Sequence, residues 1–432
     1  MIDSTFAYPT KYQTADVPGT GGVIKQRPED FLVEEIPLYN PCGEGEHIYL
    51  FVQKRGLSTF EMLHILATHF GVQRRDIGFA GLKDKHAITR QVVSIHAPGR
   101  KPEDFPSLRD DRIEILWTDL HANKLRRGHL AANRFSIRIR DVKPTDVLRA
   151  AKSLAILEKT GIANRIGEQR FGLLNNTHVI GRLMIESKHE EAIRELLGPG
   201  AHRPDVNALA RAAFAQGDYA RALDLFPRPA HAERQALRLL AQGKGVKRAF
   251  FGIDYQMLGF YISAFQSAVF NAVVDKRVID GTLDRLLPGD VAMKHENHAC
   301  FNADDAVVND PVTADRLAKF EISPSGPMWG GGMKRAQGAI DEAELAALHS
   351  AGVTLEQVQT FSDRSRNLIQ GERRPLRVPV IAPEYEGGLD EHGPYIRCAF
   401  ELPKGSFATT VMREIMKPQT DTPVESHDED QE

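Results

Sequence analysis

Strand-like text at both ends of the chain encloses a middle that reads as helix, and this restricts the fold more than any single motif does. Up to about residue 160 the text falls into short alternating runs. Gly22-Val23-Ile24-Lys25 begins one, Phe31, Val33 and Ile36 lie in a second, and GEHIYLFVQKRG sets Ile48, Leu50 and Val52 on one side of a third. Ser58-Thr59-Phe60-Glu61 has capping-box spacing and predicts a helix with Phe60, Leu63, Leu66, Ala67 and Phe70 on one face and Gly71 at its stop. Residues 145–160 predict another. From 186 to 280, Ala, Leu, Glu and Arg recur at helical spacing, and Tyr255 to Ile279 reads as one long amphipathic helix with Phe260, Phe265 and Phe270 toward a core. No tetratricopeptide-like period repeats, so these are packed helices rather than a solenoid. PGDVAMKHENHACF predicts a small hairpin and SPSGPMWGGGM a Gly- and Pro-rich loop. Strand text then returns, and PYIRCAFELPKGSFATTVMREIM closes the fold. At 432 residues the chain is long enough for two cores. The reading is α+β: residues 1–160 plus 370–416 form a sheet domain with flanking helices, interrupted by an inserted, mainly helical domain, 161–369.

Charge is unevenly spread. Residues 417–432 hold Asp421, Glu425, Asp428, Glu429, Asp430 and Glu432, and removing these six acids moves the formal charge from −3 to +3. Such a tail, poor in apolar residues, is expected to be disordered. The remaining body is mildly basic, with its cations clustered. HANKLRRGHLAANRFSIRIR carries Lys124, Arg126, Arg127, Arg134, Arg138 and Arg140 and no acid, and a second group comprises Arg364, Arg366, Arg373, Arg374 and Arg377. The first run suits either a solvated edge strand or a track for phosphates, with Asn133-Arg134-Phe135 offering base-edge hydrogen bonding and a stacking surface.

Other chemistries are not signalled. No GxGxxG follows a strand, no GxxxxGK[ST] occurs, and the sixteen histidines form neither HxH nor HExxH. Cys42, Cys300 and Cys398 lie far apart without CxxC spacing, against a disulfide framework or a zinc site. No run of about 18 apolar residues and no secretory leader is present, which predicts a cytoplasmic protein without a membrane span.

Against this background FAGLKDKHAITRQ, residues 79–91, stands out. Lys83-Asp84-Lys85 follows a glycine and sits between extended runs, so Asp84 is expected on a loop held by a sheet. A carboxylate among ammonium groups stays ionised, which suits a nucleophile or an electrostatic stabiliser better than a general acid. In extended backbone, side chains alternate, so Lys83 and Lys85 point away from the face Asp84 uses and set the field without contacting it.

GLKDKHAITRQ resembles the signature of the TruD family of tRNA pseudouridine synthases, G-x-K-D-(K/R)-x-A-x-T-x-Q. Further stretches resemble the family's motifs from about residue 20 to residue 416: RPEDF, GHLAANRF, GIANRIGEQRFG, the Gly326, Pro327 and Gly330 loop, and FELPKGSFATTVMRE. The resemblance implies a pseudouridine-synthase-type sheet domain interrupted by an inserted TRUD domain. It also implies isomerisation of uridine-13 in tRNA to pseudouridine. Asp84 would be the nucleophile and Lys25 its ion-pair partner; Phe31, Asn133, Phe135 and Phe407 would lie at a flipped-out uridine. From the residues alone, Phe31 is a core aromatic and Lys25 a surface cation. Phe135 can stack but cannot exchange a proton, so transfer at C5 falls to another group or to water. Arg165 and Ile166 replace the family's aromatic pair, which removes a stacking role there. Lys83, Lys85, Arg126, Arg127, Arg373 and Arg374 are expected along the RNA backbone. The reaction is redox-neutral, so no cofactor or metal is expected, and tRNA is the expected partner, with no protein partner implied. The alternative is a non-catalytic RNA-binding or assembly protein using the same basic surface.

Overall fold

The structure, a computed structural model, describes residues 11–200, 206–365 and 368–417. Apart from Lys417, the expected acidic tail of 417–432 lies outside the described residues, as does Arg366. The chain divides into two compact units, one of Gln13–Ile162 with the residues from Pro379 on, the other centred on Ala163–Val378.

The first unit is built on one eight-stranded sheet. Its strands are β1 (Phe31–Pro37), β2 (His47–Arg55), β3 (Ile77–Phe79), β4 (Ile88–His96), β5 (Ile113–His121), β6 (Leu130–Arg140), β7 (Ile381–Asp390) and β8 (Gly393–Pro403). They run in the order β7-β8-β6-β1-β4-β2-β5, with β3 beside β4. The β1–β4 pair is parallel and the others are antiparallel. The two distant stretches of strand text meet where β8 pairs with β6, from Tyr395 opposite Arg140 to Pro403 opposite Ala132.

Helix α1 (Thr59–Phe70) begins at the capping box: Ser58 Oγ accepts from Glu61 N, and Glu61 Oε2 accepts from Ser58 N. It ends where Gly71 turns to a left-handed φ of 65°. Its buried Met62, Leu63, Leu66 and Phe70 pack on Ile48, Leu50, Val52, Val93 and Ile95. At the other end of the sheet, α2 (Val147–Thr160) packs on β7 and α3 (Ala408–Met416) on α2. Arg140, 2% exposed, is satisfied by Asp30 and Asp390, and its guanidinium holds the Asp390 carboxyl well below the usual carboxylate range.

The second unit is organised on the helix Tyr255–Ile279. By length and mean hydropathy that helix could cross a membrane, although, as expected, it holds no uninterrupted run of 18 apolar residues. Burial inside the unit accounts for that hydropathy: 72% of its most apolar window is covered, and Phe265, Val269 and Ile262 belong to the unit's core. Gly181 lets the helix Thr177–Ile185 approach it closely, since a Cβ there would collide with the Tyr261 carbonyl.

Beside the helices lies a four-stranded sheet in the order Glu372–Pro375, Ile322–Met328, Val291–Lys294, Cys300–Asn302. The last two strands are the expected hairpin. Of the segment 323–333 expected as a Gly- and Pro-rich loop, the first part belongs to the strand Ile322–Met328, buried along its whole length, and Trp329–Met333 forms the turn that follows. That strand tolerates its prolines because it changes partner midway: Ile322 to Pro324 pair with Val291–Lys294, and Ser325 to Met328 with Glu372–Pro375.

This sheet also corrects the backbone role expected of Arg373 and Arg374. Arg373 is 6% exposed; its guanidinium grips both Glu344 oxygens, at 2.8 and 2.7 Å, and donates to Ser325. Burial raises the Glu344 carboxyl above its ordinary range, with Arg373 opposing the shift. Arg374 donates to Asn164 and lies over the Phe270 ring, and burial brings it down to about 10. Arg377 is 2% exposed and donates to the Leu317 carbonyl. Within the GIANRIGEQRFG stretch, Arg165 pairs with Asp275, and the Ile166 backbone exchanges two hydrogen bonds with Asn271. These residues bolt strands to helices. Removing one partner of a buried pair leaves the other charge uncompensated, so Arg373→Ala is expected to destabilise the second unit by about 3 to 5 kcal/mol, measured by urea unfolding.

Candidate active site

Directly paired residues on neighbouring strands point to the same face of a sheet, so the strand registers define what lies beneath the Asp84 loop. On that face Glu35 of β1 is next to Asn133 of β6, and the β1–β4 register continues to Gln91. Gln91 and Thr89 lie opposite Val52 and Lys54 of β2. Helix α1 covers the apolar half, Leu50, Val52 and Val93. What remains is a polar layer of Lys54, Thr89, Gln91 and Glu35, each 2% exposed or less.

The loop between β3 and β4 is clamped to this layer. The Lys54 ammonium donates to the carbonyls of Leu57, Lys83 and Asp84, the last at 2.8 Å. Gln91 Nε2 donates to the Gly81 carbonyl, and the Lys83 amide to Thr59 Oγ1. A buried ammonium must find acceptors, and here they are backbone carbonyls of the loop. Sequence reasoning missed Lys54, although a signal was present: it occupies the same parity in β2 as the core residues Ile48, Leu50 and Val52.

Asp84 is thereby held with both oxygens engaged. Oδ2 is 2.5 Å from Lys25 Nζ, and Oδ1 accepts from the His86 amide at 2.9 Å. Lys25 reaches it from a left-handed backbone position, φ 62°, and its Nζ lies 4.9 Å from the centroid of the Phe31 ring. Both side chains of the pair are about one-sixth exposed, at 15% and 16%. Two donors on one carboxyl group are the partners of an anion, ready for nucleophilic or electrostatic work.

Lys83 does not lie along the surface, which corrects its expected backbone role. It is 8% exposed, and its Nζ is 2.8 Å from Glu35 Oε2 and 2.8 Å from Asn133 Oδ1. Burial raises the Glu35 carboxyl above its ordinary range, and Lys83 opposes that shift. Glu35 was not expected here; its parity with Phe31 and Val33 in β1 marks it as inward-facing. Lys85 turns outward to Glu61 at 3.4 Å.

The structure thus brings Lys25, Phe31, Lys83, Asp84 and Asn133 together. Phe135 is different: 8% exposed, it packs on Phe400 within the sheet core, ring centroids 5.8 Å apart. Half-buried Phe407 is the N-cap residue of α3, five positions beyond Leu402, which pairs with Asn133. Of the expected cations in 121–140, Arg134 and Arg138 pair with acids and Arg140 is internal. Arg126 and Arg127 are exposed, with no acid partner among the described residues; Arg127 lies over the Phe79 ring. Among the described residues no group of three or more His, Cys, Asp or Glu is placed to hold a metal ion.

Comparison with known proteins gives a consistent result. The family described as tRNA pseudouridine synthase D (TruD) matches residues 8–415. The tRNA pseudouridine synthase D of Geobacter sp. (strain M21) is 44% identical over 408 residues, 94% of this chain and 99% of that protein. Its counterpart from Geobacter sulfurreducens is 42% identical over 410 residues, covering 94% and 97%. Among solved structures, the putative tRNA pseudouridine synthase D of Methanosarcina mazei aligns with a TM-score of 0.79 at 27% identity, covering 95% of this chain and 96% of that one.

Replacing Lys54 by Met keeps the length of the side chain and removes the three donors. Lys54→Met is expected to cost about 2 kcal/mol or more, because the carbonyls it serves are left unpaired. It should also speed amide exchange at residues 83 to 87, read by exchange mass spectrometry.

Proposed function

The chain belongs to the tRNA pseudouridine synthase D (TruD) family, and on that premise we propose that it isomerises uridine-13 of tRNA with Asp84 as nucleophile. The C1′–N1 bond breaks, the detached uracil turns, and a C1′–C5 bond forms; the proton lost from C5 is balanced by one gained at N1. Nothing is oxidised or reduced, so the residues supply charge, position and exclusion of water rather than a redox partner. Asp84 attacks either the sugar or the uracil ring. On both routes Lys25 neutralises the carboxylate before attack and again when the covalent bond to Asp84 is released, and it needs no large motion to do so, since Lys25 and Asp84 are already in contact.

The observation that carries the reading is that contact, made at a loop fixed by Lys54 from beneath. A close pair at an effective dielectric of about 20 is worth roughly 4 kcal/mol before desolvation, and it favours the charged form of the carboxylate. Phe31, 5% exposed, lies against the Lys25 ammonium and supplies a stacking surface once the base enters. Phe407 is a second. Phe135 supports the site from the sheet core. Arg126 and Arg127 contact the RNA backbone, and the substrate places the protein in the cytoplasm.

Asp84→Asn is expected to abolish pseudouridine formation in a tRNA transcript while changing RNA affinity by no more than a few-fold; retained turnover would remove Asp84 from the reaction. A non-catalytic RNA-binding protein would form no pseudouridine at all, in either version.

Arg126→Ala and Arg127→Ala are each expected to lower the slope of log affinity against log salt by roughly one. An unchanged salt slope, measured by fluorescence anisotropy, would show that the RNA backbone runs elsewhere.

A further inference from the structure

We propose that the buried Glu35–Lys83 pair fixes the Asn133 amide as a donor toward the base, and that this selects uracil over cytosine; the inference rests on the function proposed above. An ammonium group can only donate, and in an amide only the oxygen accepts. The 2.8 Å contact from Lys83 Nζ therefore settles which end of Asn133 faces inward: Oδ1 meets Lys83. Nδ2, the other branch of the amide, is left without a hydrogen-bond partner among the described residues. A half-turn of the amide would set two donors against each other.

Lys83 itself has little freedom. Its Nζ is 2.8 Å from Glu35 Oε2, with the two side chains 5% and 1% exposed, and its backbone amide is bonded to Thr59 Oγ1. Asp84 is the next residue in the chain. One clamped loop therefore carries both the reacting carboxylate and the group that orients the amide.

A pyrimidine distinguishes itself at position 4, where uracil has a carbonyl acceptor and cytosine an amino donor. An outward Nδ2 donates to O4 of uracil. Against cytosine the two donors oppose one another and both stay unpaired, which costs about tenfold or more in affinity. Stacking on Phe31 is tolerant of base identity and does not make this choice. Asn133 is the reader; Lys83 and Glu35 are positioning residues.

The test uses full-length protein carrying Asp84→Asn, so that RNA is bound without being consumed, and a tRNA transcript with uridine or cytidine at position 13. Affinities are compared by anisotropy competition. The background variant is expected to favour uridine about tenfold or more. Adding Lys83→Met should narrow the ratio to about twofold or less, and adding Asn133→Asp should reverse it, because that carboxylate keeps the Lys83 contact and presents an acceptor to the N4 amino group. A uridine preference retained by Asn133→Asp, or by folded Lys83→Met, overturns the proposal. If Lys83→Met does not fold, as judged by circular dichroism, the isosteric Asn133→Asp decides alone. A separate arm measures pseudouridine formation by the unaltered protein on the uridine transcript: its absence would overturn the function and this inference with it, whereas turnover with an unchanged base ratio would overturn the inference only.

Discussion

The ammonium of Lys54 is fully buried, and a charge without solvent must be met by acceptors inside the protein. Those acceptors are the carbonyls of Leu57, Lys83 and Asp84, which tie the start of α1 and the loop before β4 to one atom. The first turn of α1 returns the contact: Thr59 Oγ1 accepts from the Lys83 amide, and Glu61, already part of the capping box, meets Lys85. The loop is therefore not a hairpin tip in water. Its backbone is pinned on both sides of Asp84, and the carboxylate has a fixed place before any ligand arrives.

This arrangement explains why one sheet face is divided. Beneath α1 it is apolar, and beneath the loop it is polar, with Glu35, Thr89 and Gln91 as buried as the apolar residues beside them. Such a layer is expensive to bury unless its members satisfy one another, and a layer that does so has few alternative arrangements. The gain is geometric. A nucleophile works through small displacements. Lys25, the His86 amide and Lys83, which hold Asp84 and Asn133, lie on loops, but the backbone at Lys83 and Asp84 is itself fixed by Lys54 of β2.

Arginine in the second unit shows the opposite use of charge. Arg373, Arg374 and Arg377 are set among helices and strands of that unit, where their forked guanidinium groups satisfy Glu344, Ser325, Asn164 and the Leu317 carbonyl at once. A cluster of cations in a sequence reads as a surface for phosphates because charge is usually exposed. Here the desolvation cost of each is offset by several hydrogen bonds, and Arg126 and Arg127, in a turn between β5 and β6, are left facing solvent.

The amino-acid sequence determined what depends on local spacing. Alternation gave the strands of the sheet unit, the capping box and Gly71 gave both ends of α1, helical spacing gave Tyr255–Ile279, and the G-x-K-D-K stretch singled out Asp84. Where spacing and composition disagreed, composition misled: Pro324, Gly326 and Pro327 suggested a loop, yet a strand that changes partner midway needs no donor at every position. Only the tertiary structure decided which cations are internal, that Lys83 meets Glu35 and Asn133, and that Lys54 carries the loop. The reason is physical. Secondary structure is written in neighbours a few residues apart, whereas the partner of a buried charge is chosen by strand register, and β6 meets β1 and β8 across stretches of chain that no local pattern spans.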